Sequence, residues 1–389
     1  MTSPDLFSPD FLADPHPLLA RLRQARPVEQ LRTPDGGTMW LVTRYGDVVQ
    51  LLKDARFSVE PERANRASSV PNVEILKRSM VSVDDPDHRR LRALVSKGFT
   101  PAFVERQRPR VQAVADSLLD EIEPQGRMDF VGDYAFPLPL AVIAEMLGVP
   151  PDDRDRLRGW SEALIDVFNP EQQRTLGAFA DYLGDLFERK RRHPGDDLIS
   201  FLVQAEAQGD GLSEAELRSM VALLIVAGHE TTTNLLAGGM LALFTHPDEL
   251  SKLKAHPELM RGAVEELLRF ATPVLAVAPR FALHDLDFAG QRVARGDAVV
   301  ALVGSANRDP ARFAGADDLD TARLVNDHVA FGHGIHHCLG APLARMEGEI
   351  ALATLLRRLP DVRLAAPPEA LTWHGSLFVR GLRSLPVAF

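Results

Sequence analysis

The chain holds one cysteine, set in Phe331-Gly332-His333-Gly334-Ile335-His336-His337-Cys338-Leu339-Gly340. The residues that follow, with Leu339, Leu343, Met346 and Ile350 on one face, have the spacing of a long amphipathic helix. Cys338 is therefore expected at a helix N-terminus, where the dipole and free N–H groups favour thiolate over thiol. Gly332, Gly334 and Gly340 let backbone come close, as a flat cofactor lying against a loop requires. A buried structural cysteine is the alternative reading of the same residues. Zinc fits poorly, because paired ligands from two segments are needed and no second Cys/His pair follows. Nor does His229-Glu230 begin a zinc-protease motif, since Thr233 stands where its second histidine belongs.

Glu230 and Thr231 lie in His229-Glu230-Thr231-Thr232-Thr233-Asn234, directly after the apolar run from Met220 to Gly228. A helix apolar all round is buried all round, so a carboxylate is expensive there. The plain alternative is a partly exposed glutamate beside a threonine bonded to the carbonyl four residues earlier. His88 and Arg92, four apart, share one helix face, as solvated side chains commonly do, and Glu266 with Arg269, three apart, has the spacing of a helix ion pair. Between Arg89 and Arg110 stand Arg89, Arg90, Arg92, Lys97, Arg106, Arg108 and Arg110, against the single acid Glu105. On a chain of net charge −10, that local excess suggests docking of an acidic partner.

Helices must position most of these groups. Ser213 with Glu216 is a capping box, and it opens a helix expected over 213–245, roughly 45–50 Å long. Gly228 can loosen that helix in its middle, and a local bulge there would be typical of a functional site. Residues 107–122 carry Val111, Val114, Ala115, Leu118, Leu119 and Ile122 on one face. Residues 174–192 repeat the pattern and end in Arg189-Lys190-Arg191-Arg192 before Pro194-Gly195, a helix stop signal. Strand-like stretches at 274–278, 281–289, 292–293 and 298–303 read as a small sheet added to a helical body. With no repeat, low-complexity tract or linker in view, a single domain over 1–389 is expected.

At 389 residues, 45% hydrophobic and 25% charged, the composition is that of an ordinary globular protein. Its 44 Lys and Arg against 54 Asp and Glu argue against a general affinity for nucleic acid. Uninterrupted apolar runs such as Val221 to Ala227 fall short of the ~20 residues that span a bilayer. Met1-Thr2-Ser3-Pro4-Asp5 lacks the basic start of a signal peptide, and the lone thiol cannot form an intramolecular disulfide, so a cytoplasmic location is expected.

Phe331, Gly334, Cys338 and Gly340 match every fixed position in the haem-binding loop of the cytochrome P450 monooxygenases, which the chain resembles. Glu266-Leu267-Leu268-Arg269 is similar to that family's Glu-x-x-Arg helix. Ala227-Gly228-His229-Glu230-Thr231-Thr232 is similar to its oxygen-activation segment, and His88 with Arg92 to its haem-propionate helix. Ala306-Asn307-Arg308-Asp309-Pro310 and Arg380-Gly381-Leu382-Arg383-Ser384-Leu385-Pro386 look like the soluble bacterial branch. The matches run in order over nearly the entire chain.

The resemblance implies a mainly α fold with small β-sheets in a triangular-prism arrangement, holding one haem b. It implies Cys338 as axial thiolate, with Phe331, Gly332, Gly334, Gly340 and Ala227 around the cofactor. His88, Arg92, Arg280 and His336 would face the propionates. Glu230 and Thr231 resemble the family's acid–alcohol pair for proton delivery, and Glu266, Arg269 and Arg323 its structural Glu–Arg–Arg cluster. Electrons would come from NAD(P)H through an acidic ferredoxin or flavodoxin, since no flavin or nicotinamide motif occurs here.

By the same analogy, segments 59–84 and 160–180, with Leu224, Gly228, Val274, Leu275, Val277, Leu377 and Phe378, would contact substrate. The aliphatic character of the named residues suits a lipophilic metabolite such as a terpenoid, a polyketide or a fatty acid, hydroxylated or epoxidised with O2 by a monomeric enzyme. Two alternatives remain at this point: a peroxide-driven relative, and a haem–thiolate sensor without catalysis. An intact acid–alcohol pair speaks against both.

Overall fold

The computed structural model describes residues 6, 8–33, 36–65, 74–165, 172–207 and 212–389. It is mainly helical with small sheets, as expected from the sequence. The chain divides into two compact units, one of Met1–Ser69, Ala115–Ala135 and Thr231–Phe389, the other of Val70–Val114 and Phe136–Glu230.

The first unit holds every strand among the described residues. In chain order these are β1 (Val28–Arg32), β2 (Thr38–Val42), β3 (Phe57–Ser58), β4 (Arg127–Asp129), β5 (Arg280–Ala282) and β6 (Leu286–Phe288). They continue with β7 (Gln291–Val293), β8 (Ala298–Ala301), β9 (Arg363–Leu364), β10 (Trp373–Gly375), β11 (Arg380–Leu382) and β12 (Pro386–Ala388). The largest sheet has the order β1-β2-β8-β5-β3, with β2 parallel to β8 in the register Leu41↔Val300. Its two faces pack into two apolar clusters, one around Val42, Val48, Phe288 and Val299, the other around Leu19, Leu22, Leu41 and Leu302.

Of the stretches expected to form one small sheet, β5 and β8 join β1, β2 and β3 from far upstream, while β6 and β7 pair apart as a two-stranded sheet. Two further corrections concern the same region. Residues 274–278 form no strand beyond a single bridge from Val274 to Val379. The stretch 298–303 is strand only to Ala301 and then turns into the short helix Val303–Ala306.

Three helices of this unit meet through small residues. A Cβ on Gly348, in the helix Ala341–Arg358, would lie 3.1 Å from Val264 of the helix Met260–Phe270. A Cβ on Gly239 would lie 3.2 Å from Leu267 of that same helix. Glycine at these points lets the helices pack closely without displacing Val264 or Leu267.

Among its described residues the second unit has helices and no strand: Asp87–Ser96, Pro101–Arg106, Pro137–Leu147, Arg154–Ile165, Gln172–Arg192 and Leu198–Ala207, with the starts of Arg108–Ile122 and Glu214–Thr245. Trp160 stacks on Phe179 at 5.1 Å and leans on Tyr182 at 4.8 Å, which ties Arg154–Ile165 to Gln172–Arg192.

The long helix runs over Glu214–Thr245. Its capping box is formed as the sequence suggests: Glu216 N–H donates to Ser213 Oγ at 3.3 Å, and Ser213 N–H to Glu216 Oε2 at 2.8 Å. The helix is α-helical without interruption through Gly228, so the expected bulge is absent. The reason lies in packing: Gly228 has no Cβ because Ile143 of the helix Pro137–Leu147 crosses there.

By length and composition, Phe130–Leu147 and Glu214–Thr245 are long and apolar enough to cross a membrane, which counting unbroken apolar runs had not shown. Most of each stretch is buried inside the protein, as in the core helices of globular folds.

Candidate functional site

Cys338 sits on a loop folded back on itself. Its N–H donates to the Phe331 carbonyl at 2.9 Å, Gly332 N–H to Val329 O at 2.9 Å, and His337 N–H to Gly334 O at 3.1 Å. Gly332 and Gly334 have φ of +71° and +76°, left-handed values that favour glycine. Gly334 is doubly constrained, since a Cβ there would come within 2.5 Å of the Leu52 carbonyl oxygen. The helix begins only at Ala341, with Gly340 as its N-cap. Cys338 therefore stands three residues ahead of the helix rather than in its first turn, and the helix dipole reaches it more weakly than the sequence suggested.

The Cys338 side chain is exposed, although a free cysteine is ordinarily among the most buried residues. A haem held by a thiolate fits this donor set: a sulfur presented at a loop surface, with glycines before and after it. At Gly340 a Cβ would lie 4.0 Å from Sγ, an ordinary contact. In the same unit, His336 is half-buried at the end of the turn Gly334–His336, and Arg280 is buried as the first residue of β5.

Glu266, Arg269 and Arg323 are brought together. Arg269 donates to both carboxylate oxygens of Glu266, at 2.7 and 2.8 Å, and Arg323 Nε donates to Glu266 Oε2 at 3.0 Å. The Asn326 amide and the Asp320 N–H add two more donors at 3.0 Å. Arg269 further reaches the carbonyls of Asn307, Ala316 and Asp318. With Glu266 and Arg269 both 0% exposed, this is a buried ion pair whose remaining valences are filled, the condition under which such a pair is tolerable.

Within the second unit, His88 and Arg92 lie four apart on the helix Asp87–Ser96, His88 buried and Arg92 half-buried. Burial lowers the His88 pKa, the approach of Asp85 opposes this, and the Arg92 cation lowers it further, so His88 is held neutral. The basic run is less naked than its sequence suggests. Arg89 pairs with Asp85, Arg90 with Asp87 and Glu216, Arg108 with Glu105, and Arg110 with Glu145. Two of these partners, Glu145 and Glu216, lie far away in sequence.

Along the long helix, Ala227 is exposed and Leu223, Val226, Gly228 and Thr231 are half-buried, while the other residues from 220 to 237 are buried. Leu223, Ala227 and Thr231 are spaced by four, so they form one stripe that protein does not fully cover. Glu230 is buried on the adjoining face. His229 turns inward: its Nδ1 contacts Ile225 O at 2.7 Å, its ring meets Phe136 edge-on, and burial drops its pKa to about 4.

The residues expected to contact substrate divide. Leu275 and Leu377 are 1% and 0% exposed and belong to the apolar cluster with Leu6, Phe11 and Leu19, so they are core and not lining. Leu224 is also buried, whereas Val274, Val277 and Phe378 are half-buried. Of segments 59–84 and 160–180, residues 66–73 and 166–171 lie outside the described residues.

Two acids escaped the sequence reading. Glu347 is fully buried on the helix Ala341–Arg358, and burial pushes its pKa up to about 8 against a smaller opposing pull from Thr232. Its signal was a carboxylate on the apolar helix face of Leu343, Met346, Ile350 and Ala351. Glu265 precedes the Glu-x-x-Arg glutamate, and it bonds His328 and Arg345.

Residues 170–360 match the family model described as Cytochrome P450. The polyketide biosynthesis cytochrome P450 PksS of Bacillus subtilis is 42% identical over 97% of this chain and 96% of its own length. The mycinamicin IV hydroxylase/epoxidase of Micromonospora griseorubida is 43% identical over 95% of this chain and 94% of its own. Among solved structures, the myxobacterial cytochrome P450 CYP267B1 in complex with myristic acid superposes with a TM-score of 0.94, at 42% identity and 99% coverage of each chain.

Proposed function

The chain belongs to the cytochrome P450 family, and from that membership we propose how its own residues serve the reaction. The enzyme is a haem-thiolate monooxygenase: one atom of O2 enters an organic substrate by hydroxylation or epoxidation, and the other leaves as water with two electrons and two protons consumed. Haem b held by a cysteine thiolate supplies the activation of O2, because the sulfur pushes electron density toward iron. Cys338 is the only cysteine in the chain, and so the source of that sulfur.

The observation that carries the assignment of roles is an exposed thiol on a loop whose preceding glycines are left-handed. Phe331, Gly332, Gly334, Gly340 and Ala227 would line the macrocycle. Arg92 and Arg280 would pair with its propionates as cations, and His88 and His336 would contribute hydrogen bonds. A neutral His88 suits that part. Glu230 takes protons from solvent and the Thr231 hydroxyl passes them on, a division supported by their places on adjoining faces of one helix. Glu266, Arg269 and Arg323 are structural, pinning the segment 314–326.

The substrate is a lipophilic metabolite, a polyketide or terpenoid, or a fatty acid. Aliphatic Val274 and Val277 with Phe378 support this, as do a relative named for polyketide biosynthesis and a neighbour with myristic acid bound. Electrons come from NAD(P)H by way of an acidic ferredoxin or flavodoxin. The basic run supports that choice less strongly once four of its arginines are seen in ion pairs. The enzyme works in the cytoplasm as a single-domain monomer.

The test is spectroscopic. Wild type, reduced under carbon monoxide, gives the red-shifted Soret band of thiolate ligation, and Cys338→Ser folds but loses it. Persistence of that band in the variant would remove Cys338 from the iron. A panel of lipophilic compounds that leaves the ferric Soret band unmoved would dismiss the substrate class.

A further inference from the structure

We propose that Glu265 is a positioning residue for the thiolate: from the helix Met260–Phe270 it holds Arg345 and His328 against the ring of Phe331, and through Phe331 it fixes the backbone that carries Cys338. The inference rests on the haem-thiolate reading for the identity of the ligand.

Consecutive helical residues point about 100° apart, so Glu265 and Glu266 serve different clusters. Glu266 faces Arg269 and Arg323, as described. Glu265 accepts two parallel hydrogen bonds from Arg345, Nε to Oε1 at 2.6 Å and Nη2 to Oε2 at 3.0 Å. His328 Nε2 approaches the same Oε2 at 3.1 Å. Ala330 N–H donates to His328 Nδ1 at 3.2 Å, which assigns the ring proton to Nε2, where it donates to the carboxylate. The two partners are thereby gripped by one acid.

Both partners lie on Phe331. The Arg345 guanidinium sits 4.5 Å from the ring centroid, a cation–π distance, and the His328 ring lies 5.9 Å away, tilted by 48°. The His337 ring is 6.3 Å from Phe331 as well, tilted by 56°. Phe331 in turn gives its carbonyl to the Cys338 N–H at 2.9 Å. A chain of contacts therefore runs from the carboxylate through an aromatic ring to the backbone of the ligand residue. The anion is well held: burial would raise its pKa, but His328 and Arg345 outweigh it and bring it down to about 2. Nothing in the motif announces this, since His328 and Arg345 stand on either side of the cysteine loop, 63 and 80 residues from Glu265.

The experiment compares wild type, Glu265→Ala, the volume-conserving Glu265→Gln, and Arg345→Lys as purified holoenzymes. Two quantities are read: amide hydrogen exchange across residues 331–338, and the rate at which the red-shifted carbon-monoxide band decays as thiolate ligation is lost. Removing a charge-assisted bidentate contact should speed both by about tenfold in Glu265→Ala, with Glu265→Gln between it and wild type. Arg345→Lys keeps the charge but cannot fork onto both oxygens, so it should resemble Glu265→Ala rather than wild type. Melting temperature is measured alongside, since general weakening would lower it without singling out this loop. Exchange and decay within twofold of wild type in both Glu265 variants, or wild-type behaviour of Arg345→Lys, overturns the proposal. Should wild type itself show no red-shifted band, the haem–thiolate reading falls, and exchange at 331–338 alone decides the positioning.

Discussion

Ile143 occupies the space that a side chain at position 228 would need: a Cβ on Gly228 would lie 2.6 Å from its Cγ1 and 3.0 Å from its Cδ1. Alanine in a helix interior gains about 1 kcal/mol over glycine, but overpacking of this kind costs about 1–3 kcal/mol. Gly228→Ala should therefore melt a few degrees below wild type. Trimming the partner in Gly228→Ala/Ile143→Ala should make the combined loss smaller than the sum of the two single losses. Strict additivity in that double-mutant cycle would show that the two residues do not compete for one space.

Glu347 makes a pH prediction. Its pKa is raised from 4.5 to about 8 by burial, so the folded chain holds this proton more tightly than the unfolded chain does. The stability carried by the neutral acid is fully present below 4.5 and is lost as pH rises through about 8. Glu347→Gln keeps the shape without the charge. The variant should match wild type near pH 4.5 and exceed it by several degrees in Tm near pH 9, the gap opening between those limits. Parallel melting curves across that range would refute the buried neutral acid.

Thr231→Ala should fold and load haem like wild type, because Thr231 is only half-buried and removing its hydroxyl leaves the helix intact. Proton delivery should fail instead. Product formed per NAD(P)H is expected to fall at least about tenfold, with hydrogen peroxide accounting for the missing electrons. Unchanged coupling would take Thr231 out of the relay.

Glu266→Gln leaves Arg269 charged, 0% exposed and without its counter-ion. Breaking a buried pair from one side costs about 3–5 kcal/mol. Urea unfolding should shift by that amount, and the variant should lose haem on gel filtration. A shift under about 1 kcal/mol would mean that the carbonyls of Asn307, Ala316 and Asp318 suffice for Arg269.

What the sequence made legible is local. The Ser213–Glu216 capping box is written in four consecutive residues, and it opens the long helix where expected. The Gly332 and Gly334 conformations are equally local, since a left-handed φ favours glycine wherever it occurs. Glu266 and Arg269 read as a helix pair by spacing, although their complete burial does not follow from spacing. What stayed hidden depends on contacts between distant segments. Arg110 looked like part of a basic patch because Glu145 is 35 residues away. Leu275 and Leu377 looked like pocket lining because aliphatic residues serve cores and apolar pockets alike. Only their packing with Leu6 and Phe11 separates the two. Glu265 could not be told from its neighbour until His328 and Arg345 were seen to converge on it.

The parallel register of β2 on β8, Met39 against Ala298, has a consequence for biosynthesis. A ribosome releases the β1–β2 hairpin long before residues 298–301 exist, so the nascent chain carries one open sheet edge through most of its translation. An early edge waiting for a late partner is an invitation to mispairing until residue 301 has emerged. Fragments that stop short of residue 301 should accordingly precipitate around that hairpin, however well their helices form.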